Sequence, residues 1–324
     1  MNWGIVSASK IANRFIEALK LSGENVYAIA SRDVDKAKKL CEIYAIEYVY
    51  ETYSELFADE EIDVVYISNV NNMHCETVIA ALEAGCNVVC EKPLSVSQSE
   101  ADHMFHESTK RGLYLTEALW TRFLPIYKNI REIIAKGEIG EVIQVRTDFS
   151  FVAERNEKWR LLNQQLGGGA LYDIGIYSLM FIFDFLGIDV KHVAASGYIG
   201  STGVDEESMV LINYSDGKMA VMYNSFIMNK TRLGVIIGTK GQITVPDFYA
   251  ATTATVSFFD NQPSYCIKCE DVPNKFIYEV KNIVEDLNTG MKESAMVPMS
   301  HSKKASEVID MALQQLMEEA NDRR

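Results

Sequence analysis

The chain is poor in proline and histidine and has no excess of positive charge. Its 324 residues include 6 prolines and 5 histidines, and 31 lysines and arginines are outnumbered by 45 aspartates and glutamates, giving a net charge of −14. This acidity argues against a nucleic-acid backbone or an anionic membrane surface as the main partner. The histidines are dispersed, and the sequence has no His-x-x-Glu-His or Gly-x-Ser-x-Gly pattern, which argues against zinc-dependent or serine hydrolysis.

The cysteines form no metal-binding pattern. Six are present, and only Cys266 and Cys269 make a Cys-x-x-Cys pair, with no second pair at zinc-site spacing. We therefore expect no metal and reduced thiols, as in a cytoplasmic protein. The chain opens on a strand pattern rather than a basic segment followed by an apolar one. The most apolar predicted helix, 170–186, carries Asp173 and Asp184 and is expected to be a core helix rather than a membrane span.

The order of apolar segments predicts two domains, for which the length is sufficient. In residues 1–119 short apolar runs alternate with helical patterns, which indicates βαβ units and a parallel, doubly wound α/β sheet. Residues 120–324 begin with helices, continue with β-patterned segments from 190 to about 269, and close with helices at 276–288 and 302–319. This order predicts an α+β domain with a large, mostly antiparallel open sheet, one face of which is available for pairing with another subunit.

The first strand-to-helix turn resembles a dinucleotide fingerprint in which glycines are replaced. On the pattern Gly-x-Gly-x-x-Gly/Ala, Ser7 and Ser9 occupy glycine positions and Ala12 matches the small third position. Serine is small, and its hydroxyl can donate to a phosphate at a helix N-terminus. The expected cofactor contacts are Ser7, Ala8, Ser9, Lys10 and Ile11. An ordinary tight turn would fit these residues equally well.

Two further segments extend the predicted cofactor site. Ser31-Arg32 ends the second strand, where NAD-binding folds commonly place an acidic residue, and a hydroxyl beside a guanidinium suits a 2′-phosphate. NADP is therefore favoured, while Asp33 leaves NAD open. Polar residues after the predicted strand 64–67 fit the rule that ligands bind beyond the carboxyl ends of parallel strands. There the expected contacts are Asn69, Val70, Asn71 and His74, although Asn71 could instead be a helix cap and His74 a first-turn residue.

A cation, a carboxylate and a phenol provide candidate chemistry. Glu91-Lys92-Pro93 follows an apolar strand, and Asp173 and Tyr177 lie four residues apart after the glycines at 167–169. At the start of a helix this spacing places both side chains on one face.

These segments occur in the order seen in the glucose–fructose oxidoreductase/inositol dehydrogenase (Gfo/Idh/MocA) family, which the whole chain resembles. The segment from Glu117 to Phe123 and the tyrosine at 177 resemble a branch that acts on cyclic vicinal diols and aldoses. The resemblance implies a Rossmann domain, NADP-dependent oxidation of such an alcohol or the reverse reduction, and a homodimer formed through the sheet. Ser7, Ser9 and Val70 depart from the family pattern, which usually has glycines and a proline there.

The chemistry and the resemblance together assign the catalytic roles. A free phenol has a pKa near ~10, and a nearby ammonium lowers it. Tyr177 is therefore expected to be the acid/base, Lys92 the cation that assists it, and Asp173 a substrate ligand or a partner of Lys92. Direct proton donation by Lys92 is the alternative. Further expected contacts are Glu91 and Arg122 with the cofactor, and Trp120, Phe123, Asp173 and Trp159 with the substrate. The competing hypothesis is a non-catalytic, dinucleotide-sensing regulatory protein of the same fold.

Overall fold

The structure, a computed structural model, describes residues 1–229, 231–260 and 262–322 and divides into two compact units. The first unit comprises Met1–Phe123 and Val272–Lys303. The second comprises Leu124–Asp271 and the chain from Lys304 onward. The sequence predicts two consecutive domains instead, and the two divisions differ mainly in the segment 272–303.

The first unit is built on a wholly parallel sheet. Its strands are β1 (Asn2–Val6), β2 (Asn25–Ala30), β3 (Tyr48–Tyr50), β4 (Val64–Ile67), β5 (Asn87–Glu91) and β6 (Leu115–Ala118). Its helices are α1 (Lys10–Leu21), α2 (Val34–Tyr44), α3 (Tyr53–Phe57), α4 (His74–Glu83) and α5 (Gln98–Arg111). The strand order is β3-β2-β1-β4-β5-β6, with every adjacent pair parallel. This is the doubly wound order: β2 and β3 lie on one side of β1, and β4, β5 and β6 are added on the other, so the switch point lies between β1 and β4.

A distant segment completes this unit through aromatic packing. Helix α8 (Phe276–Asn288) contacts α1, and the ring of Phe276 lies edge-on to Phe15 at 6.5 Å. Phe15 in turn stacks on Tyr66 of β4 at 3.7 Å. The buried face of α8 combines apolar side chains, Phe276, Val280 and Ile283, with the acids Glu279 and Asp286. The apolar part favours packing in the first unit, and a pattern read along the chain does not reveal that return.

The second unit contains a mixed eight-stranded sheet with one parallel pair. Its strands are β7 (Val142–Ser150), β8 (Val190–Ile199), β9 (Asp205–Tyr214), β10 (Met219–Ser225), β11 (Arg232–Gly238), β12 (Gly241–Pro246), β13 (Thr253–Phe258) and β14 (Tyr265–Lys268). Its helices are α6 (Pro125–Ala135) and α7 (Ile176–Leu186), and α9 (Met299–Asp322) runs on into it. The strand order is β14-β13-β12-β11-β7-β10-β9-β8, and only β7 and β10 pair in parallel. The predicted fold class is confirmed for both sheets. The edge strand β14 is absent from the prediction because it is short and mostly exposed.

Helix α7 packs against β7 and β10 and shows why this sheet contains a central glycine. A Cβ atom on Gly234 of β11 would lie 2.6 Å from the ring of Phe181, so a side chain there would displace the ring. Within the described residues, the segment 164–186, which is longer than the predicted helix 170–186 and includes α7, is long and apolar enough to cross a membrane by length and composition alone. The most apolar window of this segment is 72% buried inside the structure, so the segment serves as a core helix.

Candidate functional site

The serines of the phosphate turn are used by the fold in two different ways. Ser7 follows β1 with φ +79°, in the left-handed region that favours glycine, and its N–H donates to the carbonyl of Ala30 at 2.8 Å. Ser9 caps α1, because its Oγ accepts from the N–H of Ala12 at 3.1 Å. The Ser9 hydroxyl donates to Ser68 Oγ at 3.0 Å, rather than being held ready for a phosphate as the sequence predicts. Backbone N–H groups at the start of α1 therefore carry the anion-binding capacity of this turn.

In the turn beyond β2, the two charged residues Arg32 and Asp33 have different environments. Ser31 is buried, and its Oγ accepts from the N–H of Asp33 at 3.1 Å. Asp33 caps α2 and pairs with Lys36 at 2.7 Å, so its carboxylate is engaged within its own helix. Arg32 is exposed and lies near the Tyr53 phenol; burial raises the pKa of that phenol, and the guanidinium opposes the rise. The Arg32 guanidinium is therefore exposed just beyond the carboxyl end of β2, whereas Asp33 serves as a helix cap.

The loop after β4 contains an unmatched acceptor. Asn69 donates through Nδ2 to Thr77 Oγ1 at 2.8 Å, while its buried Oδ1 has no hydrogen-bond partner in the described residues. Val70 precedes a 3-10 turn at Asn71–Met73, and Asn71 is buried. An orphaned buried acceptor costs free energy, and a ribose hydroxyl would satisfy it. Together with the turn at Ser7, this acceptor fits a dinucleotide.

His74 has a different role from the predicted cofactor contact. It is fully buried, with Nδ1 2.8 Å from the Pro93 carbonyl and Nε2 3.2 Å from the Asn69 carbonyl. Burial lowers its pKa, which favours the neutral ring. A neutral ring donates to only one of these two carbonyls, so the ring packs between the Asn69 loop and Pro93 and has no exposed surface.

Lys92 lies close to two buried carboxyl groups, those of Glu91 and Glu117. Glu91 accepts from the Tyr66 hydroxyl at 2.5 Å and from the Lys92 N–H at 3.2 Å. Glu117 accepts from the Leu94 N–H at 3.0 Å and the Ser302 hydroxyl at 2.7 Å. Burial raises the pKa of Glu117, and Lys92 is among the neighbours that oppose the rise. These bonds fix the backbone on both sides of Lys92.

A third acid of this group, Glu279 on α8, is absent from the sequence prediction. It is fully buried, and neither carboxyl oxygen has a hydrogen-bond partner in the described residues. Burial, and then the charges of Glu91 and Glu117, raise its pKa well above the usual value. The sequence does carry a signal for it, because Glu279 lies on the same helix face as the apolar residues Phe276, Val280 and Ile283.

Replacing Glu279 by methionine is expected to raise the free energy of unfolding by about 1–3 kcal/mol at pH 8. The folded-state pKa lies above the unfolded value, so stability present below the unfolded pKa is lost as pH rises toward the folded pKa. The gain should therefore shrink at pH 5. Urea denaturation followed by the fluorescence of Trp3 and Trp120 in this unit would measure it.

Glu285→Met is the matched control, because Glu285 is exposed on the same helix. An equal gain in the control, or a gain that does not depend on pH, would contradict the burial argument.

The aromatic and cationic residues after β6 are packed more tightly than predicted. Trp120 is 6% exposed and stacks on Phe276 at 5.1 Å, which places its ring in the core rather than on a substrate wall. Arg122 is buried, and its guanidinium lies 2.9 Å from Nδ1 of His301. Burial and Arg122 lower the pKa of His301 to about 4. Phe123, the other predicted substrate contact of this segment, is half-buried.

In the second unit, the start of α7 carries the predicted carboxylate and phenol. Leu171–Gly175 form a π-helical turn, a geometry frequent at functional sites, and α7 follows it directly. Asp173 is 8% exposed and accepts from the Arg160 guanidinium at 2.8 Å. Tyr177 is half-buried, and its ring lies 5.9 Å from Phe149 and 6.0 Å from Tyr249.

The segment before the glycines provides a second cation and an exposed indole. Arg160 is the partner of Asp173, a pairing that is absent from the sequence prediction. Trp159 is 40% exposed and precedes a short 3-10 turn. Lys92 belongs to the first unit and Asp173 and Tyr177 to the second, so their convergence remains a prediction.

The described residues contain no cluster of His, Cys, Asp or Glu suited to a metal ion. All six cysteines are unpaired.

Comparison with known proteins agrees with both sheets. Residues 1–119 match the model of an oxidoreductase family with an NAD-binding Rossmann fold, and residues 127–244 match the GFO/IDH/MocA C-terminal domain. The chain is 34% identical to trans-1,2-dihydrobenzene-1,2-diol dehydrogenase of Xenopus tropicalis over 97% of each chain. It is 31% identical to the Homo sapiens enzyme of that name, over 96% of this chain and 95% of the relative. The chain belongs to the Gfo/Idh/MocA oxidoreductase family, as the sequence resemblance predicts.

Solved structures share the fold at lower identity. A 3-ketoreductase from Actinomadura kijaniata, KijD10, in complex with NADP and TDP-benzene, aligns with a TM-score of 0.88 at 23% identity over 98% of both chains. A levoglucosan dehydrogenase in complex with NADH and levoglucosan aligns with a TM-score of 0.90 at 19% identity over 98% of both chains. Members of this fold thus bind either nicotinamide dinucleotide. The family membership makes this chain a member of an oxidoreductase family with an NAD-binding Rossmann fold.

Proposed function

We propose that this chain is an NADP(H)-dependent dehydrogenase or reductase whose substrate is a sugar or a cyclic vicinal diol. The choice of cofactor rests on the different environments of Arg32 and Asp33 after β2. Arg32 is exposed, whereas the carboxylate of Asp33 is held by Lys36 and by the helix it caps. An exposed guanidinium beside Ser31 matches a 2′-phosphate, and an acid already engaged is a poor ligand for the ribose diol.

Residues already described would hold the dinucleotide. The N–H groups from Ala8 to Ile11 would bind the pyrophosphate, Asn69 Oδ1 would accept from a ribose hydroxyl, and Arg32 would bind the 2′-phosphate. When bound, the nicotinamide accepts or donates the hydride. Tyr177 would take up the substrate hydroxyl proton during oxidation and return it during reduction. Lys92 would favour the phenolate, and Asp173, oriented by Arg160, would accept a hydrogen bond from a substrate hydroxyl.

The diol relatives and the sugar-binding structures support the substrate class. The curated relatives are named for a dihydrodiol, and one solved structure contains levoglucosan. Production of NADPH by the purified chain, followed by absorbance over a panel of aldoses and cyclic vicinal diols, tests this class. If the chain binds NADPH but turns over none of these compounds, the dinucleotide-sensing regulator becomes the better hypothesis.

Replacing Arg32 by alanine is expected to weaken NADPH binding by about 10–100-fold and to leave NADH binding unchanged. The loss corresponds to one charge-assisted contact of about 1.5–3 kcal/mol. Fluorescence titration of wild type and variant with both dinucleotides measures it. Lys38→Ala is the control, because Lys38 is an exposed cation on α2. Equal losses for both dinucleotides, or a wild type that prefers NADH, would contradict the NADP assignment.

We also propose a homodimer formed through the outer face of the second sheet. Met209, Tyr223, Asp148 and Leu233 stand side by side across β9, β10, β7 and β11. Met209 is 55% exposed and Leu233 is 39% exposed. Two exposed apolar side chains, Met209 and Leu233, at the ends of a row that holds Tyr223 and Asp148 between them support an interaction surface on this face.

Sedimentation of the wild type is expected to give twice the mass of the chain, and Met209→Asp is expected to give the mass of one chain. A carboxylate on this face would be buried without a partner in the dimer. Met291→Asp is the control, since Met291 is 43% exposed in the first unit. A wild type with the mass of one chain would contradict the proposal.

The unpaired cysteines suit a reducing compartment, and the cytoplasm is the location that we propose.

A further inference from the structure

Asp205, the first residue of β9, holds the start of the helix that carries Asp173 and Tyr177. The side chain is 1% exposed, and its Oδ2 accepts from the Leu171 N–H at 2.8 Å. The acceptor and the donor are far apart in sequence, and Leu171 begins the π-helical turn. A carboxylate in this place caps a helix start that has no side-chain cap of its own.

The second oxygen of Asp205 lies directly against the glycine turn. A Cβ atom on Gly169 would come within 2.2 Å of Asp205 Oδ1, and the φ of Gly169 is +129°, a conformation that L side chains rarely adopt. A Cβ atom on Gly168 would lie 2.5 Å from the Arg160 carbonyl oxygen. The glycines are therefore closely confined, with Asp205 on one side and the backbone of residue 160 on another. A shift of the Asp205 side chain would therefore displace the glycine turn.

The acid is retained at a cost in stability. Its Oδ1 is buried with no hydrogen-bond partner in the described residues. Burial raises the pKa of Asp205 to about 7, although the N–H groups of Leu171 and Ala170 oppose the rise. A buried acceptor in this state costs free energy that an apolar residue would avoid. Such a cost is common where a geometry must be held for function.

The neighbouring Glu206 holds the segment that leads to the turn. It is 1% exposed and binds the Arg155 guanidinium through both oxygens, at 2.6 and 3.1 Å. Because consecutive residues of a strand point to opposite faces, the two acids hold different parts of the chain. Arg155 lies a few residues before Arg160, the partner of Asp173.

We propose that Asp205 is a positioning residue for the reaction, acting through the Leu171 N–H to set the places of Asp173 and Tyr177. Glu206 assists by holding the preceding segment through Arg155. The catalytic part of this inference rests on the proposed function, whereas the structural part does not.

The test compares Asp205→Ala and Asp205→Asn with the wild-type chain. In Asp205→Ala, amide exchange in a peptide covering Leu171 to Tyr177 is expected to accelerate about 10–100-fold, as expected when a charge-assisted hydrogen bond is lost. The kcat of the folded protein should fall about 10–100-fold, because small displacements of reacting groups have effects of that size. The Kd for NADPH should stay unchanged. Asparagine keeps an oxygen acceptor for the Leu171 N–H, so Asp205→Asn should restore most of the protection and most of kcat.

Asp216→Asn is the control, because Asp216 is an exposed turn residue on the same sheet. A folded Asp205→Ala variant with wild-type exchange or wild-type kcat would overturn the proposal. A loss of kcat that only follows the fraction of unfolded protein, with no recovery in asparagine, would also overturn it. If Asp205→Ala does not fold, Asp205→Leu, which removes the acceptor while filling the space, replaces it: faster exchange at Leu171 with a lowered kcat at unchanged NADPH affinity would support the proposal, and unchanged exchange or kcat would overturn it. If the wild-type chain turns over no substrate, the proposed function fails, and the exchange of the Leu171 amide alone decides whether Asp205 holds the helix start.

Discussion

Replacing Tyr177 by phenylalanine is expected to lower kcat by about 10²–10⁴-fold, the usual range for loss of a general acid or base. NADPH binding should be unchanged, because the expected dinucleotide contacts lie in the first unit and Tyr177 lies in the second. Steady-state kinetics with the best substrate from the aldose and diol panel, together with fluorescence titration of NADPH, measure both quantities.

The structure explains why this substitution isolates the hydroxyl. The Tyr177 ring is held by aromatic neighbours, with Phe149 at 5.9 Å and Tyr249 at 6.0 Å. A phenylalanine ring would keep these contacts, and α7 should remain in place. Tyr198→Phe, at a position 48% exposed on β8, is the matched control and should keep full activity. A Tyr177→Phe variant with wild-type kcat would remove Tyr177 from proton transfer and favour Lys92 as the donor.

The local parts of the fold were predictable because their causes are local. Helix α8 begins and ends at the predicted residues, and β4 is the predicted apolar run Val64–Ile67, every residue of which is buried. The serines at positions 7 and 9 could be recognised as glycine replacements because a turn constrains backbone shape more than side-chain identity. Ser7 adopts a φ of +79°, as a glycine in that place would.

The parts that the sequence did not reveal depend on residues far apart in the chain. Trp120 was expected on a substrate wall, and its stacking on Phe276 could not be anticipated without knowing that α8 packs in the first unit. His74 was expected at the cofactor, and the carbonyls that surround it come from two different loops. Asp205 gave no signal at all, because an acidic residue at the start of a strand is usually exposed.

The described site also shows which predicted contacts keep their support. Arg32 and Asn69 present a charge and an acceptor that a dinucleotide would use, while the Ser9 hydroxyl is engaged with Ser68. Asp173 gained a partner, Arg160, that orients its carboxylate. That these loops form one site stays a prediction, and the structure changes the roles expected for several side chains within them.

Replacing Lys92 by methionine is expected to lower kcat by about 10²–10³-fold, as for the loss of one electrostatic group that favours a developing charge. The fold should survive, because the backbone around Lys92 is held by Glu91, by Glu117 and by His74. Without the ammonium, the phenol should return toward its ordinary pKa, so the residual activity for alcohol oxidation should increase toward higher pH. Oxidation rates measured from neutral to alkaline pH would show this shift.

The comparison of the two variants decides which group exchanges the proton. If Tyr177 is the acid/base and Lys92 assists it, Tyr177→Phe loses at least as much kcat as Lys92→Met, and only the lysine variant recovers activity with rising pH. If Lys92 exchanges the proton directly, Lys92→Met loses more and shows no recovery. Lys39→Met, an exposed lysine on α2, controls for the loss of a positive charge from the first unit. A Lys92→Met variant with wild-type kcat and an unchanged pH profile would contradict both assignments of Lys92, as proton donor and as the cation that assists Tyr177.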